Sequence, residues 1–185
     1  ELDRPAPPVA PPVDRPPDYY QRVLQRTAVP REMEMVTDAG TLRLRLDCPR
    51  APLTCLSFAN LAEQGFFDGL TFHRVVPDFV VQAGDPRGDG LGGPGYALRD
   101  EINRLRYERG TLGMALAGPD TGGSQFFLTL SPQPHLDGGY TAFGRVVGGD
   151  EVLDEIGRGT RILAVRPVAV PAAAARPAGG GGRLR

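Results

Sequence analysis

The stretch Phe72–Asp85, FHRVVPDFVVQAGD, carries more information than any other part of this 185-residue chain. It belongs to two short apolar runs, Leu70–Val76 and Phe79–Gln82, and each run holds one strongly polar side chain, Arg74 and Gln82. Short runs rich in Val and Phe read as strands. Taken singly, an arginine snorkelling at a strand edge and a glutamine facing water would account for both.

Working outward, the same strand signal recurs on both sides. EMEMVT (32–37) and TLRLRL (41–46) alternate residue by residue around Asp38-Ala39-Gly40, which predicts two half-buried strands joined by a tight turn. Met33, Met35, Leu42, Leu44 and Leu46 form their inward set. Further short runs lie at Thr111–Leu116, Gln125–Leu130, Thr141–Val147 and Ile162–Val168. Between them, LTCLSFANLAEQ after Pro52 predicts an amphipathic helix that stops at Gly65, with Leu53, Leu56, Ala59 and Leu61 buried. A second short helix is expected near Asp150–Ile156. Many short strands, two helices and abundant glycine point to a closed β-architecture rather than alternating βαβ units.

The ends differ in character. Residues 1–18 hold seven prolines and almost nothing large and apolar, so they read as an extended tether. Residues 19–31 form a lead-in whose first part, YYQRVLQRTA, suits a short helix. The domain proper is expected over 32–168, and residues 169–185 read as a flexible Ala/Gly/Arg tail. A removed leader and an origin in a longer protein both fit a chain that opens on Glu1.

Composition narrows the classes of function. The hydrophobic share is 41%, enough for one core, and no run approaches the ~18 apolar residues of a membrane-spanning helix. Twenty-one cations, all arginine, nearly balance 22 acids, so the broad basic footprint of a nucleic-acid binder is absent. Cys48 and Cys55, even with His73 and His135, do not make a metal cage, and no cofactor or metal is expected. A soluble protein is expected, with envelope, periplasm and cytoplasm all open as compartments.

Familiar motifs fail their context. GDGLGG satisfies G-x-G-x-x-G at Gly88, Gly90 and Gly93, but Pro94 and Gly95 follow and forbid the helix that would meet a pyrophosphate. The loop is expected to be a flexible flap. Ser124 in GGSQFF is not a nucleophile elbow. Asp150, Glu151, Asp154 and Glu155 read as the solvated face of one helix.

FHRVVPDFVVQAGD does not reduce to core plus surface once it is taken together with two later blocks, GTLGMALAGPDTGGSQFFLTL and LDGGYTAFGRV. In this order and spacing they closely resemble the cyclophilin family, over roughly Glu34 to Val168. The resemblance implies a mostly β fold, a closed eight-stranded antiparallel barrel capped by two α-helices, with a groove for an extended proline-containing peptide. It implies peptidyl-prolyl cis–trans isomerisation without covalent chemistry, on X–Pro peptides and unfolded proteins, by a monomeric domain. A binding module of the same fold with little turnover is the rival reading. An unrelated β-barrel carrier would leave Arg74 and Gln82 unexplained.

Residue by residue, the resemblance makes Arg74 the catalytic arginine and Gln82 the glutamine that orients it. Phe79, Phe127 and Leu136 become walls of the proline pocket. Ala115, Ala117, Gln125, Gly90 and Gly92 become the lining of the peptide groove. The chain departs from the family pattern at Val80, where methionine is common, and at Leu116, where asparagine is usual. His135 replaces the tryptophan of the pocket rim, which implies weakened cyclosporin binding, and Tyr140 replaces the usual pocket histidine.

Overall fold

The structure, a computed structural model, describes residues 18–168. The expected tether, apart from Asp18, and the expected tail lie outside the described residues. Eight antiparallel strands form one sheet: β1 (Arg31–Thr37), β2 (Gly40–Leu46), β3 (Arg74–Val76), β4 (Val80–Ala83), β5 (Thr111–Met114), β6 (Phe126–Thr129), β7 (Ala142–Gly148) and β8 (Ile162–Pro167). Their spatial order is β3-β4-β6-β5-β7-β2-β1-β8. Helices α1 (Tyr19–Arg26), α2 (Pro52–Glu63) and α3 (Val152–Glu155) complete the fold. None of the described helices is long and apolar enough to cross a membrane.

The curled sheet is not a fully closed barrel. The expected strand Leu70–Val76 splits, and only Arg74–Val76 ladders with β4. The preceding residues swing to the opposite edge of the sheet, where Thr71 and Arg161 form an isolated bridge. Backbone bonds from Gly69 N–H to Ile162 O (2.8 Å) and from Phe72 N–H to Thr160 O (2.9 Å) flank it. A seam of single hydrogen bonds thus stands where a closed barrel would have a ladder.

Alternation in the β1–β2 hairpin works as the pattern requires: Met33, Met35, Leu42, Leu44 and Leu46 are all 0% exposed. They fill the sheet's concave side together with α2. Here the expected phase of the helix is corrected. Ala59 and Leu61 are buried as expected, but Leu53 and Leu56 are only half-buried, and Cys55, Phe58 and Ala62 join Ala59 at the i, i+3, i+4, i+7 positions of one face. The reason is aromatic packing: Phe58 sits among Phe67 (centroids 4.9 Å apart), Phe126 (5.4 Å) and Phe143 (5.5 Å), and this cluster sets the helix's roll.

The ends of α2 are satisfied from different directions. Glu101, 47 residues on from Thr54, accepts from the N–H groups of Leu53 (2.9 Å) and Thr54 (2.8 Å), placing a carboxylate on the positive end of the helix. At the other end Gly65 N–H donates to Ala62 O and Phe66 N–H to Leu61 O, the paired bonds of a Schellman stop. Glu101 is in turn fixed by its own N–H, which donates to Thr141 Oγ1 (2.8 Å). The long loop before β5 is thereby tied to α2 and to the residue preceding β7.

Phe58→Ala is expected to cost roughly 3–5 kcal/mol of unfolding free energy in a urea titration. Leu53→Ala and Leu56→Ala should each cost far less. Equal losses at all three positions would refute the helix phase described above.

Candidate active site

Strand register assembles the site before any side chain is considered. Arg74 of β3 is paired with Gln82 of β4, Gln82 with Phe127 of β6, and Phe127 with Gly113 of β5. One residue from each of four neighbouring strands therefore lies in a single row across the sheet. Paired residues point to the same face, so the row's side chains share the convex surface, opposite the core-facing Val81 and Ala83.

Gly113 is what lets Phe127 lie flat in that row. A Cβ there would stand 2.3 Å from Phe127 Cζ and 2.8 Å from Tyr107 Cε1. The Phe127 ring stacks on Tyr107 (5.6 Å, 24°) and meets the edge of Tyr140 (5.9 Å, 87°). Val80, Leu136 and Ala142 join them in a small apolar cluster separate from the main core. Burial pushes the Tyr107 hydroxyl far above its ordinary pKa, with the Asp137 charge and Tyr140 acting the same way. It stays neutral beneath the pocket.

A three-residue turn, Pro77–Phe79, carries Phe79 to the other wall. Asp78 adopts a left-handed backbone (φ 58°), a conformation aspartate tolerates better than most residues. Gln133 holds it there by donating from Nε2 to Asp78 O (2.8 Å), and Ser131 Oγ donates to the same carbonyl. A single 3-10 turn over Pro134–Leu136 then sets Leu136 into the pocket and His135 over Phe79, the rings stacked at 5.5 Å and 27°.

The result is a cavity of about 250 Å³ lined by Arg74, Phe79, Val80, Gln82, Ala115, Leu116, Phe127, Leu136 and Tyr140. It is smaller than the roughly 300–1,000 Å³ of pockets for drug-sized ligands, so it suits one compact apolar side chain. Arg74 stands exposed at its edge, with Cζ 5.8 Å from the Phe79 ring centre. It forms no ion pair among the described residues, and no acid lines the pocket. A cation without an ion-pair partner among the described residues, at the edge of a pocket that no acid lines, is the site's chief electrostatic feature.

A chain of amides runs outward from that cation. Arg74 Nη1 donates to Gln82 Oε1 (3.2 Å), and Gln82 Nε2 donates to Gln125 Oε1 (3.0 Å). Gln125 Nε2 then donates to the carbonyls of Gly90 (3.0 Å) and Gly92 (2.9 Å). The glycine-rich loop is clasped from its other side by buried Asp85, which accepts from the N–H groups of Arg87 and Gly90. A Cβ on Gly92 would come within 1.9 Å of Asp85 Oδ1, so only glycine admits this approach. Burial alone would raise the Asp85 carboxyl pKa. Donation from the backbone of Arg87, Gly90 and Gly88, aided by the His73 charge, outweighs burial and holds it below the ordinary value.

Of the residues singled out from the sequence, nine line the cavity together, and Gln125, Gly90 and Gly92 connect to it through the amide chain. His135 reaches it only through Phe79. Ala117 stands apart: it is exposed, and its N–H is taken by Thr121 Oγ1 (2.8 Å). Tyr107, Gly113 and Gln133 support the site without any local pattern that marks them. Only pairing partners far away in the chain give them their places.

A cation held beside a small apolar pocket on the outer face of an antiparallel β-sheet defines a class of site, one that can hold a compact apolar group next to a fixed positive charge. Comparison with known proteins narrows it. Residues 32–172 match the family model described as cyclophilin type peptidyl-prolyl cis-trans isomerase/CLD. The chain is 49% identical over 134 residues to a peptidyl-prolyl cis-trans isomerase of Synechococcus elongatus, covering 71% of this chain and 92% of that protein. It is 47% identical over 134 residues to peptidyl-prolyl cis-trans isomerase B of Bacillus subtilis, covering 71% and 94%. The crystal structure of a Cryptosporidium parvum cyclophilin type peptidyl-prolyl cis-trans isomerase aligns with a TM-score of 0.73 at 33% identity, over 77% of this chain and all of that one. The chain belongs to the cyclophilin-type peptidyl-prolyl cis–trans isomerase family.

Two measurements probe the loop clasp. Gln125→Leu is expected to speed hydrogen exchange of the Gly90–Gly92 amides about tenfold, the worth of two modest hydrogen bonds, with little change in melting; unaltered exchange would rule out the clasp. Because the Asp85 pKa is depressed on folding, its contribution is complete above about pH 4 and fades as pH falls through the lowered value. The Gly90 amide resonance should therefore move only below that range, and not at all in Asp85→Asn.

Proposed function

We infer that this chain accelerates the cis–trans rotation of X–Pro peptide bonds in peptides and unfolded proteins. The observation that carries the reading is the Arg74 guanidinium, without an ion pair among the described residues and braced by Gln82 at 3.2 Å, on the rim of a pocket of proline size. The bacterial relatives at 47–49% identity bear the name of that activity. A further Cryptosporidium parvum structure, TM-score 0.71 at 33% identity over 75% of this chain, was solved in the presence of the dipeptide Ala-Pro.

The chemistry needs no covalent step. Partial double-bond character sets a barrier of ~18–20 kcal/mol for amide rotation. At the twisted midpoint conjugation is lost, and the proline nitrogen gains a localised lone pair. A fixed donor aimed at that nitrogen binds the twisted state better than either planar state, and only such differential binding accelerates the reaction. Arg74 suits the task because a guanidinium stays charged and offers rigid donors. Phe79, Val80, Phe127 and Leu136 grip the ring and exclude water, which strengthens the cation's effect. Gln82 occupies one guanidinium N–H and leaves the others for substrate. At the rim, His135 offers a smaller face than tryptophan would, so cyclosporin binds weakly in this reading.

Exchange NMR on an Ala-Pro model peptide tests the function. The native chain should broaden the paired cis and trans signals, and Arg74→Ala should lower the exchange rate roughly 10²–10³-fold without unfolding the protein. Undiminished exchange in Arg74→Ala would remove the assigned role. Shifts without exchange in the native chain would favour a binding module instead.

A further inference from the structure

A second register row crosses the other half of the sheet. Glu32 of β1 is paired with Arg45 of β2, Arg45 with Arg145 of β7, and Arg145 with Thr111 of β5. Arg45 and Arg145 are thus like charges set directly opposite each other, an arrangement that destabilises a sheet unless something neutralises it. Glu32 Oε1 serves Arg45 with two hydrogen bonds, 3.1 Å and 2.7 Å. Arg145 is exposed, and among the described residues its guanidinium has no hydrogen bond or ion pair.

Arg106 approaches the same place from the loop before β5, its carbonyl accepting from Thr111 Oγ1 at 3.2 Å. Its guanidinium likewise has no partner among the described residues. Both arginines line a cavity of about 950 Å³ that the isomerase reading does not use. The other charges of its wall are already engaged or single. Arg50 pairs with Asp47. Arg109 is held by Asp150 (2.9 Å), Asp154 (3.0 Å) and the Leu130 carbonyl (2.8 Å). Among the described residues Glu108 is the one acid of the wall without a partner, leaving two guanidiniums without partners against one carboxylate.

We propose that this cavity binds a small molecule bearing a phosphate group, with the unneutralised Arg145 and Arg106 guanidiniums as its recognition elements. A phosphate monoester carries nearly two charges and three strong acceptors at neutral pH, which matches two planar guanidinium forks better than a single carboxylate does. The volume lies at the upper end of small-molecule pockets, so it leaves room for the body that bears the phosphate, against Pro30, Pro49 and Leu105. A nucleic-acid polyanion is disfavoured by Asp47 and Glu108 in the same wall and by the chain's net charge of −1.

The test titrates the full 185-residue chain with inorganic phosphate, glucose 6-phosphate and glucose at fixed ionic strength, following arginine Nε–Hε NMR signals and thermal melting. Both phosphate probes should give saturable shifts and raise the melting temperature, the ester binding at least as tightly as free phosphate. Glucose should do neither. Arg145→Gln and, independently, Arg106→Gln should each weaken binding about tenfold or more, the loss of one charge-assisted contact, with isomerase activity unchanged. Without ligand, Arg145→Gln should melt no lower than the parent, since it removes the opposed charge. No saturation by the ester, an equal response to glucose, or unchanged affinity in both variants would overturn the proposal. So would a clear drop in the melting temperature of unliganded Arg145→Gln, because Arg145 would then already hold a partner.

Discussion

The pairing register of β4 is the constraint on which the site depends. Through it Arg74, Gln82, Phe127 and Gly113 stand in one row, although they come from strands up to 53 residues apart. A slip by one residue would turn Gln82 into the core and send Val81 to the surface. The all-apolar inner face of β4, Val81 and Ala83 at 0% exposure, makes that slip prohibitively unfavourable. The hydrophobic core thereby fixes the position of a cation on the opposite side of the sheet.

A second level of organisation works through backbone groups that polar side chains satisfy at long range. Glu101 caps α2, Gln133 braces the Asp78 turn, and Asp85 with Gln125 clasps the glycine-rich loop. Each replaces a hydrogen bond that local secondary structure cannot supply, in segments too irregular to satisfy themselves. The loops of the site are consequently tied by hydrogen bonds from side chains far away in the chain. Held geometry of this kind is what positioning a group beside a fixed charge requires.

How much of this was legible in the sequence follows from what kind of information each feature carries. The β1–β2 hairpin was readable because alternation is a local signal, and its five inward residues are all buried. The other strands are legible as short apolar runs, since β5 and β6 are buried on both faces and show no alternation, and the run Leu70–Val76 overshoots the strand within it the most. The roll of α2 is not legible locally, since leucines look like core while Phe58 and its aromatic partners decide the phase from other parts of the chain. The barrel's incomplete closure was invisible, because nothing in Leu70–Val76 announces that its two halves serve opposite edges. The side chains of the pocket came from resemblance, and their supports Gly113, Tyr107 and Gln133 acquire meaning only from non-local pairing. The opposed arginines of β2 and β7 were equally hidden: 100 positions separate them in the chain.

The seam between Gly69–Phe72 and Gly159–Ile162 has a kinetic corollary. Strand β3, which bears Arg74, is an edge strand of three residues, joined onward by isolated hydrogen bonds, while Gln82 and Phe127 sit inside the laddered sheet. Phe72 and Ile162, both 0% exposed, bury their side chains along that seam, and Phe72 meets the edge of Phe126 at 6.4 Å, so parting it uncovers the core itself. The short edge strand that bears the cation is therefore anchored by the core on one side and by β4 on the other, so warming should release cation and pocket together in one cooperative step.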